Sequence, residues 1–287
     1  MAISSATDLQ NRRVLITGAA RGIGSALARR LHERGAIVAL AGLEPELLAA
    51  TSRSCADAPW READVSDSDA ISASVDALAA ELGGLDVVVA NAGIAKQLPI
   101  IGGQPGVMEQ TMSVNFLGCF YTLRAAGPHI SHPGGYALAV SSLAAAVNLP
   151  LLGAYSASKA AVEALGNTLR AELKSTGAKA GVAYFAELDT DMTTRGFATE
   201  AARSLTGGKT ITRVSSLSSG VDALERGIAR RSRRIYAPRW IRPIVPLRDI
   251  AQRVVDLRSY ADLPGALETA RHETAEFTTA QPSRVPR

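Results

Sequence analysis

The chain has 287 residues, 47% hydrophobic and 20% charged, with a net charge of +4. That supports one large α/β core, and no Pro/Gly/Ser tract divides the first 220 residues, so a single domain is expected. Cys55 and Cys119 fit neither a disulfide framework nor a metal-ligand spacing, the first residues lack signal-peptide order, and the longest greasy run (137–152) is broken by Ser141, Ser142, Asn148 and Pro150; a cytoplasmic protein without a membrane span is expected.

In chain order, Val14 to Ile16 reads as a short strand, followed by a glycine-rich turn and a helix carrying Ile23, Leu27 and Leu31 on one face up to Gly35. Residues 36–43 predict a second strand and a helix from Pro45. The continuous apolar runs at 85–93, 135–142 and 180–188 have the look of strands buried on both faces of a parallel sheet. Helical patterns near 67–82, 107–127 and 155–175 separate them. Alternation of this kind predicts a doubly wound parallel sheet, an α/β fold whose ligands lie beyond the carboxyl ends of the strands. Gly18, Asn91, Ser142 and Thr190 all fall on that rim. In the last helix Tyr155 and Lys159 stand four apart, hence on one face. They are either a surface pair without consequence or a phenol whose proton is made available near neutral pH.

The turn "TGAARGIG" (17–24) has glycines at 18, 22 and 24. Between strand and helix they allow a tight turn and close approach of a pyrophosphate to the helix N-terminus. The spacing is G-x-x-x-G-x-G, and a methyltransferase with a similar sheet competes at this point.

Further motifs settle that competition. "TGAARGIG", "NAG" (91–93), "SVNFLG" (113–118), Ser142 and "YSASK" (155–159) occur in order, with Ser142 thirteen positions before Tyr155. Over about residues 12–192 the chain resembles the classical short-chain dehydrogenase/reductase family. The resemblance implies a Rossmann-type fold and an NAD(P)-dependent oxidoreductase interconverting an alcohol and a ketone or aldehyde. Tyr155 would be the general acid/base. Lys159 would lower its pKa and hold the nicotinamide ribose. Ser142 would position the substrate oxygen, and Asn115 would anchor a water-linked proton path. Gly18, Arg21, Gly22, Ile23 and Gly24 would line the phosphates, Asp64 and Val65 would flank the adenine, and Asn91, Ala92 and Gly93 would back the coenzyme. Thr190 would face the nicotinamide amide. A catalytically silent dinucleotide-binding sensor or scaffold with the same fold is the alternative.

Two positions depart from the family. The second strand ends in Gly42 and Leu43 where NAD-using relatives carry an acid, so Glu44 reaches a ribose only if the loop folds back; with Arg21 in the glycine turn, this leans slightly towards NADP. Ala186 and Glu187 replace a frequent Pro-Gly before Thr190, which loosens that assignment.

The family's substrate lid maps to about 193–215, with Gly196, Gly207 and Gly208 as hinges and Phe197 and Leu205 as anchors. Leu98, Ile100 and Ile101 are expected to form the opposite wall of a greasy pocket for a lipophilic substrate. The catalytic domain is expected over 8–235, a basic helical extension over 236–263, and a flexible tail over 264–287. Residues 226–258 hold ten arginines against two acids. Within them Leu247, Ile250, Val254 and Leu257 form a helical stripe, expected to dock on the protein's own core or a second subunit, with weak contact to an anionic membrane surface as the alternative. Nucleic acid is not expected, because only Tyr236 and Trp240 are interleaved as stacking platforms. The resemblance also implies a homo-dimer or homo-tetramer formed through helices such as 107–127 and 155–175.

Overall fold

Apolar residues on successive positions of one strand can be buried only if both faces of the sheet are covered. In the computed structural model, which describes residues 9–193, 199–207, 214–273, 277 and 279–282, seven strands form one sheet, and the inner ones meet that condition. The seven are β1 (Arg13–Thr17), β2 (Ile37–Gly42), β3 (Trp60–Glu62), β4 (Val87–Ala90), β5 (Tyr136–Val140), β6 (Lys179–Phe185) and β7 (Arg234–Ala237). All pair in parallel, in the order β3-β2-β1-β4-β5-β6-β7. Strand β4 shows the logic in four residues. Val87 and Val89 enter one core cluster and Val88 and Ala90 the other.

Helices α1 (Gly22–Glu33), α2 (Pro45–Arg53) and α8 (Leu217–Ala229) cover the first face through Leu27, Leu48 and Leu224. Helices α3 (Ser68–Glu81), α5 (Gly118–Ile130) and α6 (Gly153–Glu172) cover the second through Leu78, Leu123 and Val162. The long helix expected over 107–127 is interrupted. It runs as α4 (Pro105–Met112), a π-helical turn at Ser113–Leu117, and then α5. Such a turn adds a residue to the helical circuit and re-aims the side chains within it, here Asn115.

The C-terminal expectations are corrected in two respects. The stripe in α9 (Arg248–Asp256) and its flanks does not dock on the protein's own core: Leu247, Ile250, Val254 and Leu257 are between 53% and 86% exposed. Polar ties hold the helix instead, from Arg248 to Glu163 at 2.7 Å and between Gln252 and the backbone of Asn148 at 2.7 and 3.2 Å. The expected loose tail begins with an ordered helix, α10 (Leu263–His272), whose buried Ala266 packs with Ala201 and Leu205 of α7 (Glu200–Thr206). Glu273 then accepts hydrogen bonds from the backbone N–H groups of Glu200 and Ala201 at 2.8 and 3.2 Å, capping α7. Of the expected lid, Gly196, Phe197 and Gly208 lie outside the described residues, while Leu205 is buried in this helix pair.

One ion pair fixes the register of the two central strands. Arg13 donates its backbone N–H and Nε to Asp86 Oδ2 at 2.9 and 3.0 Å, and a terminal nitrogen to Oδ1 at 2.9 Å. Burial works to raise the Asp86 carboxyl pKa, but the bonds from Arg13 outweigh it and hold the group below its ordinary range. Asp86→Asn is therefore expected to cost about 1.5–3 kcal/mol at neutral pH, measured by urea unfolding. A carboxyl with a depressed folded pKa contributes above its unfolded pKa and loses that contribution as pH falls through the folded one. The gap between wild type and variant should accordingly close below about pH 4.

Candidate active site

Parallel pairing brings Thr17, Ala90, Val140 and Phe185, the last residues of four strands, to one rim, where a cavity of about 520 Å³ opens. Its floor is the glycine turn. Gly18 has φ +65°, and a Cβ there would lie 2.7 Å from the Cα of Ala92. A Cβ on Gly24 would lie 2.2 Å from the Gly18 carbonyl oxygen. The bare backbone thus lets α1 start directly beneath the cavity with its free N–H groups facing a ligand. Asn91 staples this loop, donating from Nδ2 to the carbonyls of Thr17 and Gly18 at 3.0 and 3.3 Å. Thr17 Oγ1 in turn accepts from the N–H groups of Asn91 and Ala92.

Gly18, Arg21, Gly22, Ile23, Asp64, Val65, Asn91, Ala92, Gly93, Ser142, Tyr155, Lys159 and Thr190 all line this one cavity. Gly24 sits directly behind it and Asn115 is buried under its wall. Asp64 is engaged in a turn, accepting from the N–H and hydroxyl of Ser66 at 2.8 and 2.7 Å. Asn115 spends its whole amide on structure. Its Oδ1 accepts from the Ile94 N–H at 2.7 Å, and its Nδ2 donates to the Ile94 carbonyl and to Ser158 Oγ, both at 2.9 Å. It fixes the loop after β4 against α6. Thr190 Oγ1 leans on the Leu188 carbonyl at 3.4 Å and the Thr193 hydroxyl at 3.3 Å.

Tyr155, Lys159 and Ser142 meet at the centre. The Ser142 hydroxyl donates to the Phe185 carbonyl at 3.3 Å and lies near enough to the Tyr155 phenol to lower its pKa. Lys159 Nζ lies 5.7 Å from the centroid of the Tyr155 ring and donates to the Val140 carbonyl at 3.0 Å. The expected acidification of the phenol by Lys159 is not what dominates here. Burial pushes the Tyr155 pKa up, only partly offset by Ser142. Burial also lowers Lys159, to about 8, so its own charge is costly in this setting.

The walls differ from expectation. Ile100 and Ile101 are among the most exposed apolar residues, and Leu98 is buried away from the cavity with Val107 and Ala154. Leu143, Val147, Leu149 and Leu152 supply the apolar lining on one side; Trp240, Ile244, Val254 and Val255 of the extension supply it on the other. The latter were not legible as site residues because nothing in the sequence ties a segment after β7 to a pocket after β5.

At the other end, the β2–α2 loop does fold back, bringing Glu44 into the lining. Arg21 Nε donates to Glu44 Oε2 at 2.8 Å, and a terminal nitrogen reaches Asp191 Oδ2 at 3.1 Å. Arg21 is thus clasped by two carboxylates, and its pKa is raised chiefly by the bond to Glu44. Glycine cradle, helix N-terminus, apolar walls and paired charges together fit a dinucleotide.

A model of the short chain dehydrogenase family matches residues 12–201. The 11-beta-hydroxysteroid dehydrogenase-like 2 of Arabidopsis thaliana is 32% identical over 256 residues, covering 87% of this chain and 80% of the relative. A cis-4-hydroxycyclohexanecarboxylate dehydrogenase of Sinomonas cyclohexanicum is 37% identical over 172 residues, 58% of this chain and 69% of the relative. Among solved structures, a short chain dehydrogenase from Burkholderia cenocepacia J2315 in complex with NADP superposes with a TM-score of 0.71 at 27% identity, covering 80% of this chain and 97% of that one.

The Arg21 clasp sets a specificity test. A 2′-phosphate must compete with Glu44 for Arg21, whereas a bare ribose can use Glu44 as an acceptor. Glu44→Gln is expected to raise the ratio of kcat/KM for NADP over NAD by about tenfold, in initial rates with one substrate, since that factor corresponds to about 1.4 kcal/mol of differential binding.

Proposed function

The chain belongs to the short chain dehydrogenase family, and from that membership we propose that it interconverts a lipophilic alcohol with its ketone or aldehyde, Tyr155 acting as the general acid/base. It is an NAD(P)-dependent oxidoreductase acting on CH–OH groups. The observation that carries the finer reading is the meeting of Ser142, Tyr155 and Lys159 on the wall of a largely apolar cavity.

The nicotinamide, when bound, supplies or accepts the hydride. Ser142, beside the phenol on the cavity wall, holds the substrate oxygen next to it. Tyr155 delivers its proton to that oxygen during reduction and receives it during oxidation. Its raised pKa keeps it protonated at neutral pH, which supports carbonyl reduction as the easier direction there. Lys159, below its pKa of about 8, carries a charge that stabilises the phenolate left behind. Asn115 is a positioning residue that holds the loop after β4 against the catalytic helix. Thr190 lies at the cavity edge where the carboxamide of a bound nicotinamide is assigned, and Gly18 to Gly24 with Asn91 cradle the phosphates. NADP remains slightly favoured as coenzyme through Arg21, subject to its competition with Glu44.

The lipophilic substrate class rests on the Leu143–Leu152 and Trp240–Val255 walls. The exposed row Leu247, Ile250, Val254 and Leu257 runs beside that mouth with Arg253 and Arg258 exposed around it, which supports weak contact with an anionic membrane surface. No helix among the described residues is long and apolar enough to cross a membrane. A cytoplasmic setting is supported by two buried, unpaired cysteines. A homo-dimer or homo-tetramer through α4, α5 and α6 is supported by the exposed Phe120 of α5, and sedimentation of the full chain measures it.

Tyr155→Phe is expected to lower turnover about 10²–10⁴-fold while coenzyme affinity, read from nicotinamide fluorescence, changes little. Retained turnover on a panel of lipophilic alcohols and ketones would remove the role assigned to the phenol; no turnover in wild type on that panel favours the silent sensor. Flotation with anionic vesicles should recover the chain in a salt-sensitive way, and Ile250→Ser with Val254→Ser should abolish recovery. Flotation unaffected by salt or by those changes rules out the membrane contact.

A further inference from the structure

On the outer side of β7, away from the coenzyme cavity, a groove of about 840 Å³ is lined by Arg226, Arg230, Arg233, Arg234, Arg239 and Arg242. They come from three places: the last turn of α8 and its exit, β7 with the turn before it, and the short helical turn that follows. Among the described residues no carboxylate lines the groove. Seven arginines elsewhere, among them Arg13, Arg21, Arg30, Arg61 and Arg248, have an acid within 4 Å, while others such as Arg12, Arg29 and Arg124 have no such pair among the described residues. Among the described residues none of the six has such a partner. The buried Nε of Arg234 has no hydrogen-bond acceptor, although, against the lowering effect of burial, Tyr236, Tyr184 and Glu163 raise the guanidinium's pKa. Nearby Arg170 has its pKa lowered by burial and by repulsion from Arg233 and Arg234.

Six like charges around one hollow repel, and the fold forgoes stability by keeping them there. Five of the six are exposed, and Arg234 alone is half-buried. Here backbone turns from three segments converge, and one guanidinium nitrogen is sealed from water without an acceptor. Arginine, not lysine, fills every basic position in the lining, and its planar fork suits two oxygens of one phosphate. A second copy of this chain is a poor occupant. The strand is the edge of the sheet, and two-fold pairing there would set the arginines against their own images. Nucleic acid is also a poor occupant, because the ring of Tyr236, the groove's aromatic residue, is already stacked on Tyr184 at 5.4 Å.

We propose that this groove is a binding site for a compact ligand carrying two or more phosphates, separate from the coenzyme cavity. The two share no lining residue. Only the turn at 239–244 stands between them, sending Arg239 and Arg242 to the groove and Trp240 and Ile244 to the cavity. The inference does not depend on which alcohol the enzyme takes.

The test is calorimetric titration of the full chain, saturated with NADP, with sodium tripolyphosphate and with orthophosphate. Tripolyphosphate should bind at one site at least about tenfold more tightly than orthophosphate and weaken as salt rises from about 0.05 to 0.15 M. The triple variant Arg230→Gln, Arg233→Gln, Arg242→Gln should lose at least about tenfold of that affinity, with thermal melting equal to or above that of wild type and unchanged affinity for NADP. Because phosphates of this kind occur both free and on lipid headgroups, inositol trisphosphate is compared with vesicles of phosphatidylcholine containing phosphatidylinositol bisphosphate. Tighter binding of the vesicles assigns a lipid source, and equal or tighter binding of the soluble headgroup assigns a free one. Absence of tripolyphosphate binding, equal binding of orthophosphate, or full affinity in the triple variant overturns the proposal. So does tripolyphosphate binding seen only in the chain without NADP, because the phosphates then occupy the coenzyme cavity.

Discussion

Where Gly18 and Gly24 meet, the backbone packs so closely that no side chain fits at either position. A Cβ at position 24 would stand 2.2 Å from the carbonyl oxygen of Gly18, and one at position 18 would press on Ala92. Much else in the site follows from that closeness. It seats the N-terminus of α1 under the cavity, leaves its N–H groups free for an anion, and lets Asn91 reach both Thr17 and Gly18. Through Asn91 the loop is coupled to the end of β4, and through Ile94 and Asn115 that segment is coupled to the helix bearing Tyr155. Coenzyme cradle and catalytic face are therefore one hydrogen-bonded unit.

Within that unit the chemistry is set against burial. A phenol and an ammonium are held side by side in a site that penalises charge on either, so Tyr155 stays neutral and Lys159 is brought down to about 8. What keeps Lys159 in place is a carbonyl acceptor, Val140, at the end of β5. The strand that delivers Ser142 thus also anchors the lysine. A bound dinucleotide adds further acceptors and charge here, and the helix geometry alone does not make the phenol acidic. In the proposed mechanism the protein would contribute proximity and a proton on Tyr155, and what it binds would complete the balance of proton affinity.

Legibility in the sequence tracked how local the physical cause was. Strand β4 was readable because four valine and alanine residues have to be buried on both sides. Tyr155, Lys159 and Ser142 were readable through motif and spacing, and the structure brings them together. Strand β3 was not, since three residues, Trp60–Glu62, carry no periodicity and are recruited by pairing with β2. The π-helical turn at Asn115 leaves the apolar pattern of a helix nearly intact, so only the coordinates show it. The stripe of α9 misled because a helical period states that one face is apolar without stating what covers it. Its polar ties to Glu163 and Asn148 depend on residues about a hundred positions away. Glu44 was the intermediate case: its place next to Gly42 and Leu43 was visible, and its direction depended on a loop.

The arginines divide along the same line between local and distant cause. Arg21, at the coenzyme end, is paired with Glu44 and Asp191. Across the sheet edge the groove behind β7 is lined, among the described residues, by six guanidiniums and no acid. A chain with a net charge of only +4 could have compensated them, having 27 acidic residues to place. Instead the carboxylates nearest in sequence, Asp222 and Glu225, turn away to Arg30 and Arg34 on α1. Pairing on one side of α8 and its absence on the other is a property of how that helix is rotated in the fold. It concentrates uncompensated charge beside the one turn, 239–244, that also walls the substrate cavity.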